Sequence, residues 1–496
     1  VSDRPRSGPL LLGIDEGTTA VKAALFEADL TPFAQARRGV PVSHPRPGWV
    51  EQDPELILEA VVEAVAEVLE TAGGRAVAAA GLDHQGESVL AWDAASGRAL
   101  SPVIVWQDKR HEELLEGIDA AVPELTGLPL DPYFSAGKLA WLLNGDPSLR
   151  AGAAAGRVRL GTVDAFLTDR LGGRFATDLS TASRTQLLAL GGRDWDERLL
   201  GHFGLERAML PQIGPSFGEL GTIGDERWGR RLELRAQLVD QQAALAGSGA
   251  VAAGQAKATY GTGVFVLART PGPAAAAGLV PTVAWAGPGA GGSAGPRPAE
   301  PAYALDGGVF AAGALLEWLA GGLGLAEDPP ALAALAATVA DSGGVMLLPA
   351  LAGLGSPWWV PGARGVIAGL DGGVRPAHVA RAALEGIAHR VADVVEAMAA
   401  VVEITALRVD GGLSNDETLL GLQADLLGLD LIVGRADATV LGAALLAGVG
   451  AGLFATVEQG AGLLGSGRRI APRLAAEERL AARRAWRTFV TGAAAL

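Results

Sequence analysis

Two stretches far apart in the chain share one design: LLLGIDEGTTAVKAALFE at 10–27 and KATYGTGVFVLA at 257–268. Each runs from an apolar strand through a Gly/Thr turn into a second apolar strand, the pattern of a β-hairpin. Turns built from Gly and Thr leave backbone N–H groups open and set hydroxyls beside them, so they can hold phosphate oxygens. One Gly-rich hairpin is ordinarily just a tight turn. Its recurrence near the start of each half predicts two lobes that grip one polyphosphate.

A chain of 496 residues exceeds one ordinary core, so two domains are expected, 1–250 and 251–496. With 49% hydrophobic and 19% charged residues the chain can bury sizeable cores, and disorder is excluded. A net charge of −15 argues against nucleic acid or an anionic membrane as partner. Without cysteine there are no disulfides or thiolate metal sites. The apolar run before Asp15 is too short for the core of a signal peptide. The uncharged run ATVLGAALLAGVGAGLFATV at 438–457 approaches the length of a membrane span, but Gly and Ala dilute it. A buried small-residue helix packed closely on a sheet is the reading adopted, in a soluble, cytoplasmic protein with no membrane partner.

In the first half, strands are expected at 10–15, 20–27 and 33–40, then a helix at 54–71 opened by Asp53-Pro54. A strand at 76–82 leads into a loop from His84 to Ser88, and a further strand, Val89 to Trp92, leaves it. In the second half, 271–302 is rich in Pro, Gly and Ala and reads as an irregular surface excursion, with a Gly-rich loop near 286–296. Beyond it come a helix near 309–320, a strand at 345–350, helices at 376–400 and 416–427, a strand at 406–412, and the small-residue helix at 439–449. Strands alternating with helices predict an α/β architecture.

Taken in order, the motifs resemble the FGGY carbohydrate kinases, and within them the glycerol kinases. They include GIDEGTT at 13–19, GWVEQDP at 48–54, VIVWQDKR at 103–110, TGLPLDPYFSAGKLAWLL at 126–143, GTVDAFL at 161–167 and TDLSTASRTQLL at 177–188. The second half adds DQQAAL at 240–245, KATYGTGVF at 257–265, YALDGGVFAAGALLEWL at 303–319, GLGSPWWVPGARG at 353–365, RVDGG at 408–412 and LGAALLAG at 441–448. The resemblance spans nearly the whole chain. It implies a two-lobed, actin-like ATPase (ribonuclease H-like) fold of the α/β class, with ATP and a small polyol or sugar meeting in an interlobe cleft. Mg²⁺ would accompany the ATP, and related kinases often form homodimers.

By the same resemblance Asp240 is the general base that takes the acceptor hydroxyl's proton. Read without it, Asp240 caps the helix that follows, and the two roles are compatible. Asp15 is the implied metal carboxylate, acting through water. Thr18, Thr19 and Ala20 match the phosphate-facing turn. Lys22 stands where an Arg is usual and keeps its charge without the bidentate fork. Glu16 replaces a frequent Gln, adding negative charge with no evident reason. Gly261, Thr262 and Gly263 match the other phosphate turn, Gly313 and Glu317 line the nucleotide, and Gly411, Gly412 and Leu413 approach the adenosine by backbone. The family's Asn pair is displaced: Asp416-Glu417 hold its positions and Asn415 falls one place early.

The acceptor loop departs from the pattern. Glycerol kinases carry Asn-Gln-Arg-Glu, and here the loop is His84-Gln85-Gly86-Glu87. Glu87, Trp106, Tyr133, Asp240, Gln241 and Phe265 match acceptor-contacting or pocket-lining positions, although Trp106 and Phe265 taken alone read as core. His84 lies in the loop; none of the six histidines has metal-ligand spacing. An Arg missing at Gly86 removes a charged hydrogen bond, typically worth about 1.5–3 kcal/mol, and empties volume. The expectation is therefore an acceptor larger than glycerol, such as a tetritol, pentitol or ketopentose, with Gly86→Arg shifting preference back toward glycerol. Of two non-enzyme alternatives, an actin-like nucleotide switch does not need the Glu87, Tyr133, Asp240 and Gln241 set, and a sugar-binding regulator that has lost catalysis does not need the retained Asp15 and Asp240.

Overall fold

The computed structural model describes residues 8–292 and 295–494, leaving aside the side chains of 290–297. The chain forms two compact units, one of 1–251, 281–303 and 438–464, the other of 252–280, 304–437 and 465–496. The chain first crosses after Val251, but it returns twice, so the units are not the two continuous halves 1–250 and 251–496.

In the first unit a six-stranded sheet runs in the order Thr222–Asp225, Arg230–Val239, Val77–His84, Leu10–Glu16, Ala20–Phe26, Pro32–Gly39. Leu10–Glu16 is antiparallel to Ala20–Phe26 and parallel to Val77–His84, which is itself parallel to Arg230–Val239. Leu10, Leu12 and Ile14 share one core with Ile57, Val61, Val65 and Val68 of the helix Pro54–Thr71. Asp53 caps that helix, accepting from the Glu55 N–H at 2.9 Å.

The alternate residues of the strand face the other way, where the small-residue helix Ala438–Gly450 lies directly on the sheet. A Cβ on Gly13 would stand 2.1 Å from the Val440 carbonyl oxygen, and one on Gly81 2.1 Å from that of Ala443. The helix Asp240–Gly247 crosses it as closely: Gly442 would meet the Ala243 oxygen and Gly247 the Ala438 oxygen, each at 1.8 Å. The 438–457 run is thus a buried packing helix, and among the described residues no helix is long and apolar enough to cross a membrane.

The second unit repeats the plan. Gln255–Tyr260 is antiparallel to Val264–Thr270 and parallel to the much later strand Ala406–Asp410. Leu431–Val433 and Arg468–Ile470 extend the sheet beyond it. The long helix Pro376–Ala399 packs Ala380, Leu384, Ile387, Val391 and Val394 into the core beneath. Both units therefore carry the same hairpin-plus-parallel-strand motif.

Segment 271–302 corrects the expected excursion. Val280–Trp285 is a strand buried at every position, and Pro288–Gly292 pairs with Gly295–Pro298. Residues 293–294 of the expected Gly-rich loop lie outside the described residues. The helix expected near 309–320 is shorter: the strand Ala302–Val309 comes first, then a helix Gly313–Glu317 that widens into a π-helical turn at Trp318–Gly322.

Candidate active site

The first unit's sheet delivers its acidic residues at the C-terminal ends of parallel strands, where open α/β sheets bind ligands. Asp15 and Asp83 are register partners on adjacent strands. Asp240 follows the next strand and opens the helix Asp240–Gly247. Val239, not Asp240, occupies the N-cap position of that helix and makes no side-chain cap; the Asp240 carboxylate accepts from the Gln241 N–H at 2.6 Å. Gln241 Nε2 stands 3.4 Å from its other oxygen. Lys22 faces Asp15 across the hairpin as its antiparallel partner.

Sequence reasoning passed over Asp83. It is fully buried, no N–H or hydroxyl donor reaches its carboxyl oxygens, and the group beside it is the carboxyl of Asp15. Burial, then the charges of Asp15 and Asp240, push its pKa well above the usual carboxylate range. Its signal was legible in the alternation that aligns it with Gly81 and with Asp15.

Glu16, whose charge had no evident reason, points into the protein. Its carboxylate accepts from Gln85 Nε2 at 2.7 Å, and Gln85 Nε2 also reaches Gln52 Oε1 at 2.9 Å. Burial raises its pKa well above normal, opposed by the Gln85 bonds. In the turn, the Gly17 N–H donates to the Ala20 carbonyl at 3.1 Å. Gln52 Nε2 donates to the Thr18 carbonyl at 2.8 Å and Trp106 Nε1 to the Thr18 hydroxyl at 2.9 Å. Thr19 is the exposed residue of this turn.

The acceptor-type residues gather around a guanidinium. Arg184, buried, donates through Nε to Glu87 Oε1 at 2.7 Å and through a terminal nitrogen to the Tyr133 hydroxyl at 3.3 Å. Trp106 meets the Tyr133 ring edge-on at 5.6 Å. Lys138, also buried, holds the loop by donating to the carbonyls of Pro132, Tyr133 and Phe134 at 2.8, 2.6 and 3.0 Å. Burial brings the Lys138 ammonium down to about 7. Neither cation was assigned from sequence, although Arg184 sits inside TDLSTASRTQLL and Lys138 inside SAGKLAWLL.

These contacts correct the picture of an emptied pocket. A charged partner for Glu87 is present, supplied 97 residues downstream of it. Gly86 has φ +73°, and a Cβ there would lie 3.2 Å from Val239 Cγ1, so Arg at this position is strained. His84 is not brought to the Glu87 group. It alternates to the opposite side of its strand from Asp83, where Nε2 meets the Thr181 hydroxyl at 2.9 Å and Asp164 Oδ1 at 3.5 Å.

In the second unit three glycines fit the phosphate-type turn to its surroundings. The N–H groups of Ala312 and Ala314 donate to the Thr262 carbonyl at 2.9 and 3.1 Å, and that of Gly313 to Gly261 at 3.0 Å. A Cβ on Gly263 would stand 2.5 Å from the Val309 oxygen, and one on Gly313 2.7 Å from the Gly261 oxygen. Gly411, at φ +90°, would place a Cβ 2.4 Å from the Tyr260 oxygen. The segments holding Thr262, Gly313 and Gly411–Leu413 are thus brought together, with Gly412 and Glu317 exposed. Asp416, in the Asn position, is a helix cap accepting from the Thr418 and Leu419 N–H groups at 2.9 and 3.0 Å. Phe265 lies on the hairpin's return strand, its ring edge 3.2 Å from where a Cβ on Gly308 would be.

A duplicated hairpin-and-parallel-strand fold, with strand-end carboxylates in one unit and a Thr turn in the other, defines an ATPase of the actin-like class built for phosphoryl transfer. Comparison with known proteins sharpens the class. The chain belongs to the FGGY family of carbohydrate kinases: the family's N-terminal domain matches residues 10–247 and its C-terminal domain residues 256–451. It is 43% identical over 493 residues to a glycerol kinase of Citrifermentans bemidjiense, covering 97% of this chain and 98% of the relative. A glycerol kinase of Thermus brockianus is 43% identical over 494 residues, with 97% of each covered. Among solved structures, Plasmodium falciparum glycerol kinase with ADP superposes with a TM-score of 0.90 at 27% identity, covering 98% of both chains.

The protein is an ATP-dependent carbohydrate kinase of the glycerol-kinase type, acting on a small polyol with magnesium and ATP. A larger acceptor is not favoured, because these near-full-length relatives are glycerol kinases. The residues fit the metal. Among the described residues no group of three or more His, Cys, Asp or Glu side chains forms a metal cage, but Mg²⁺ on a nucleotide needs only one or two carboxylates besides phosphate oxygens and water.

Proposed function

We propose that the chain transfers the γ-phosphoryl group of ATP to a hydroxyl of glycerol. The observation that carries this reading is the Glu87–Arg184–Tyr133 trio, a buried ion pair with a half-buried tyrosine in the same unit as Asp240 and Asp15. Glu87 accepts hydrogen bonds from the acceptor's hydroxyls, and Arg184 with Tyr133 fixes the carboxylate's orientation. Asp240 takes the proton of the attacking hydroxyl as its oxygen bonds to the γ-phosphorus. The bond from that phosphorus to the oxygen bridging the β- and γ-phosphates breaks, and ADP leaves with the electron pair.

Thr18, Thr19, Ala20 and Lys22 supply donors and charge for the transferred group. In the second unit, Gly261–Gly263, Gly313, Glu317 and Gly411–Leu413 serve the nucleotide. Asp15 holds the magnesium, which neutralises developing phosphate charge when bound. An actin-like switch has no use for an acceptor trio, and a binding-only regulator has none for Asp15 and Asp240 together.

The test is ADP release with and without glycerol. Glycerol should raise it well above background, and Asp240→Asn should cut glycerol-dependent turnover by about 10²–10⁴-fold while ADP still binds. Turnover retained in Asp240→Asn would remove Asp240 from the role of base.

A further inference from the structure

Among the described residues, every buried acidic side chain of the first unit but one meets N–H or hydroxyl donors within the protein. Glu16 has Gln85, Glu27 has Arg75, Glu87 has Arg184, and Asp108 has Arg110 and the Val50 N–H. Asp164 is met by Thr162, Thr177 and Gln237, and Asp178 by Ser180, Thr181 and Ser216. Asp83 is the exception: 0% exposed, it meets no N–H or hydroxyl donor and has only the carboxyl of Asp15 beside it. A carboxylate buried without donors is costly, and a second one beside it makes the place worse.

The strand register sets Asp83 directly beside Asp15, on one face of the sheet at the C-terminal ends of two parallel strands. That face is also the one covered by the helix Ala438–Gly450. Gly13 meets Val440 and Gly448 meets Leu11, so the helix runs against the strand and its N-terminal, partially positive end lies toward Asp15. Two adjacent carboxyl groups at such a position form a pair that a divalent cation can bridge.

We propose that Asp83 is a second protein carboxylate for the magnesium of the nucleotide complex, directly or through its water shell, alongside Asp15. Mg²⁺ is commonly held by one or two carboxylates with phosphate oxygens and water completing the shell, and a pair of neighbouring strand-end aspartates meets that demand. The proposal rests on the kinase reading for the presence of Mg²⁺, but its test needs no acceptor.

The experiment uses the full chain with ADP and Mn²⁺ as the paramagnetic probe, counting free Mn²⁺ by electron paramagnetic resonance in wild type, Asp83→Asn and Asp15→Asn. Asp83→Asn should weaken Mn²⁺ binding to the ADP complex by tenfold or more, as Asp15→Asn also should. In a metal-free thermal melt Asp83→Asn should be at least as stable as wild type, since it relieves the crowding of two neighbouring carboxyls, and Mn²⁺ with ADP should raise its Tm less. Unchanged Mn²⁺ affinity in Asp83→Asn overturns the proposal. So does a lower metal-free Tm with an undiminished Mn²⁺ effect, which marks Asp83 as a purely structural acid. Failure of the kinase reading would instead appear as absent glycerol-dependent ADP release in wild type, whatever the Mn²⁺ result.

Discussion

The residue that most alters the account is Arg184. From the loop His84-Gln85-Gly86-Glu87 the acceptor side looked short of a cation, because sequence reasoning searches a motif for its own missing member. The fold supplies the charge from another segment, and only the three-dimensional pairing of Arg184 with Glu87 reveals it. Arg184→Lys keeps the charge but loses the fork that spans Glu87 and Tyr133. It should raise the KM for glycerol about tenfold, in line with one charge-assisted hydrogen bond of about 1.5–3 kcal/mol, and steady-state kinetics will show it. An unchanged KM would remove Arg184 from the acceptor side. Gly86→Arg, forced into left-handed backbone, should lower the melting temperature instead of redirecting specificity. The positions of Asp15, Thr18 and Asp240 at strand ends and in a turn were legible because such places leave a local pattern. Glu16 and His84 were not, since what a buried polar side chain meets is decided by distant segments.

At the scale of elements, glycines decide how closely helices approach. Gly442 on Ala438–Gly450 and Gly247 on Asp240–Gly247 each stand where a Cβ would press 1.8 Å from a backbone oxygen of the other helix. Gly442→Ala should therefore cost at least about 1–3 kcal/mol, the usual toll of overpacking, because backbone cannot yield as a side chain does. Chemical denaturation measures it, and a loss below 0.5 kcal/mol, on the order of a neutral surface change, would contradict the packing argument. The helix Pro376–Ala399 makes a different prediction. His389 stacks on Trp486 with ring centroids 4.8 Å apart, and its Nδ1 contacts an Arg483 nitrogen at 2.9 Å. Burial, then Arg483, lower its pKa to about 3. The unfolded chain takes up this proton near pH 6.5 and the folded chain only near 3, so its contribution is complete above pH 6.5 and is lost as pH falls toward 3. His389→Phe should lose less Tm than wild type between pH 7 and pH 5, and equal losses would deny the burial effect. The helices at 54–71 and 376–399 were readable because their apolar spacing is regular. The strand Val280–Trp285 was not, because Pro and Gly on both sides of it imitate a loop.

For the whole molecule, the repeated hairpin in the sequence corresponds to a repeated unit of topology. In each unit an early hairpin gains a parallel neighbour from far downstream, which no local pattern announces. The chain's returns to the first unit at 281–303 and 438–464 were hidden for the same reason: they depend on packing partners, not on composition. In the proposed function the phosphate turns serve the nucleotide, and the Glu87, Arg184 and Tyr133 group sets the acceptor. The account's central claim is that this group selects glycerol. The measurement that tests it most directly is kcat/KM from ADP release across glycerol, tetritols, pentitols and ketopentoses. The account predicts that glycerol has the highest value of the panel; a larger polyol or a ketopentose clearly preferred, or ADP release indifferent to every acceptor, would contradict it.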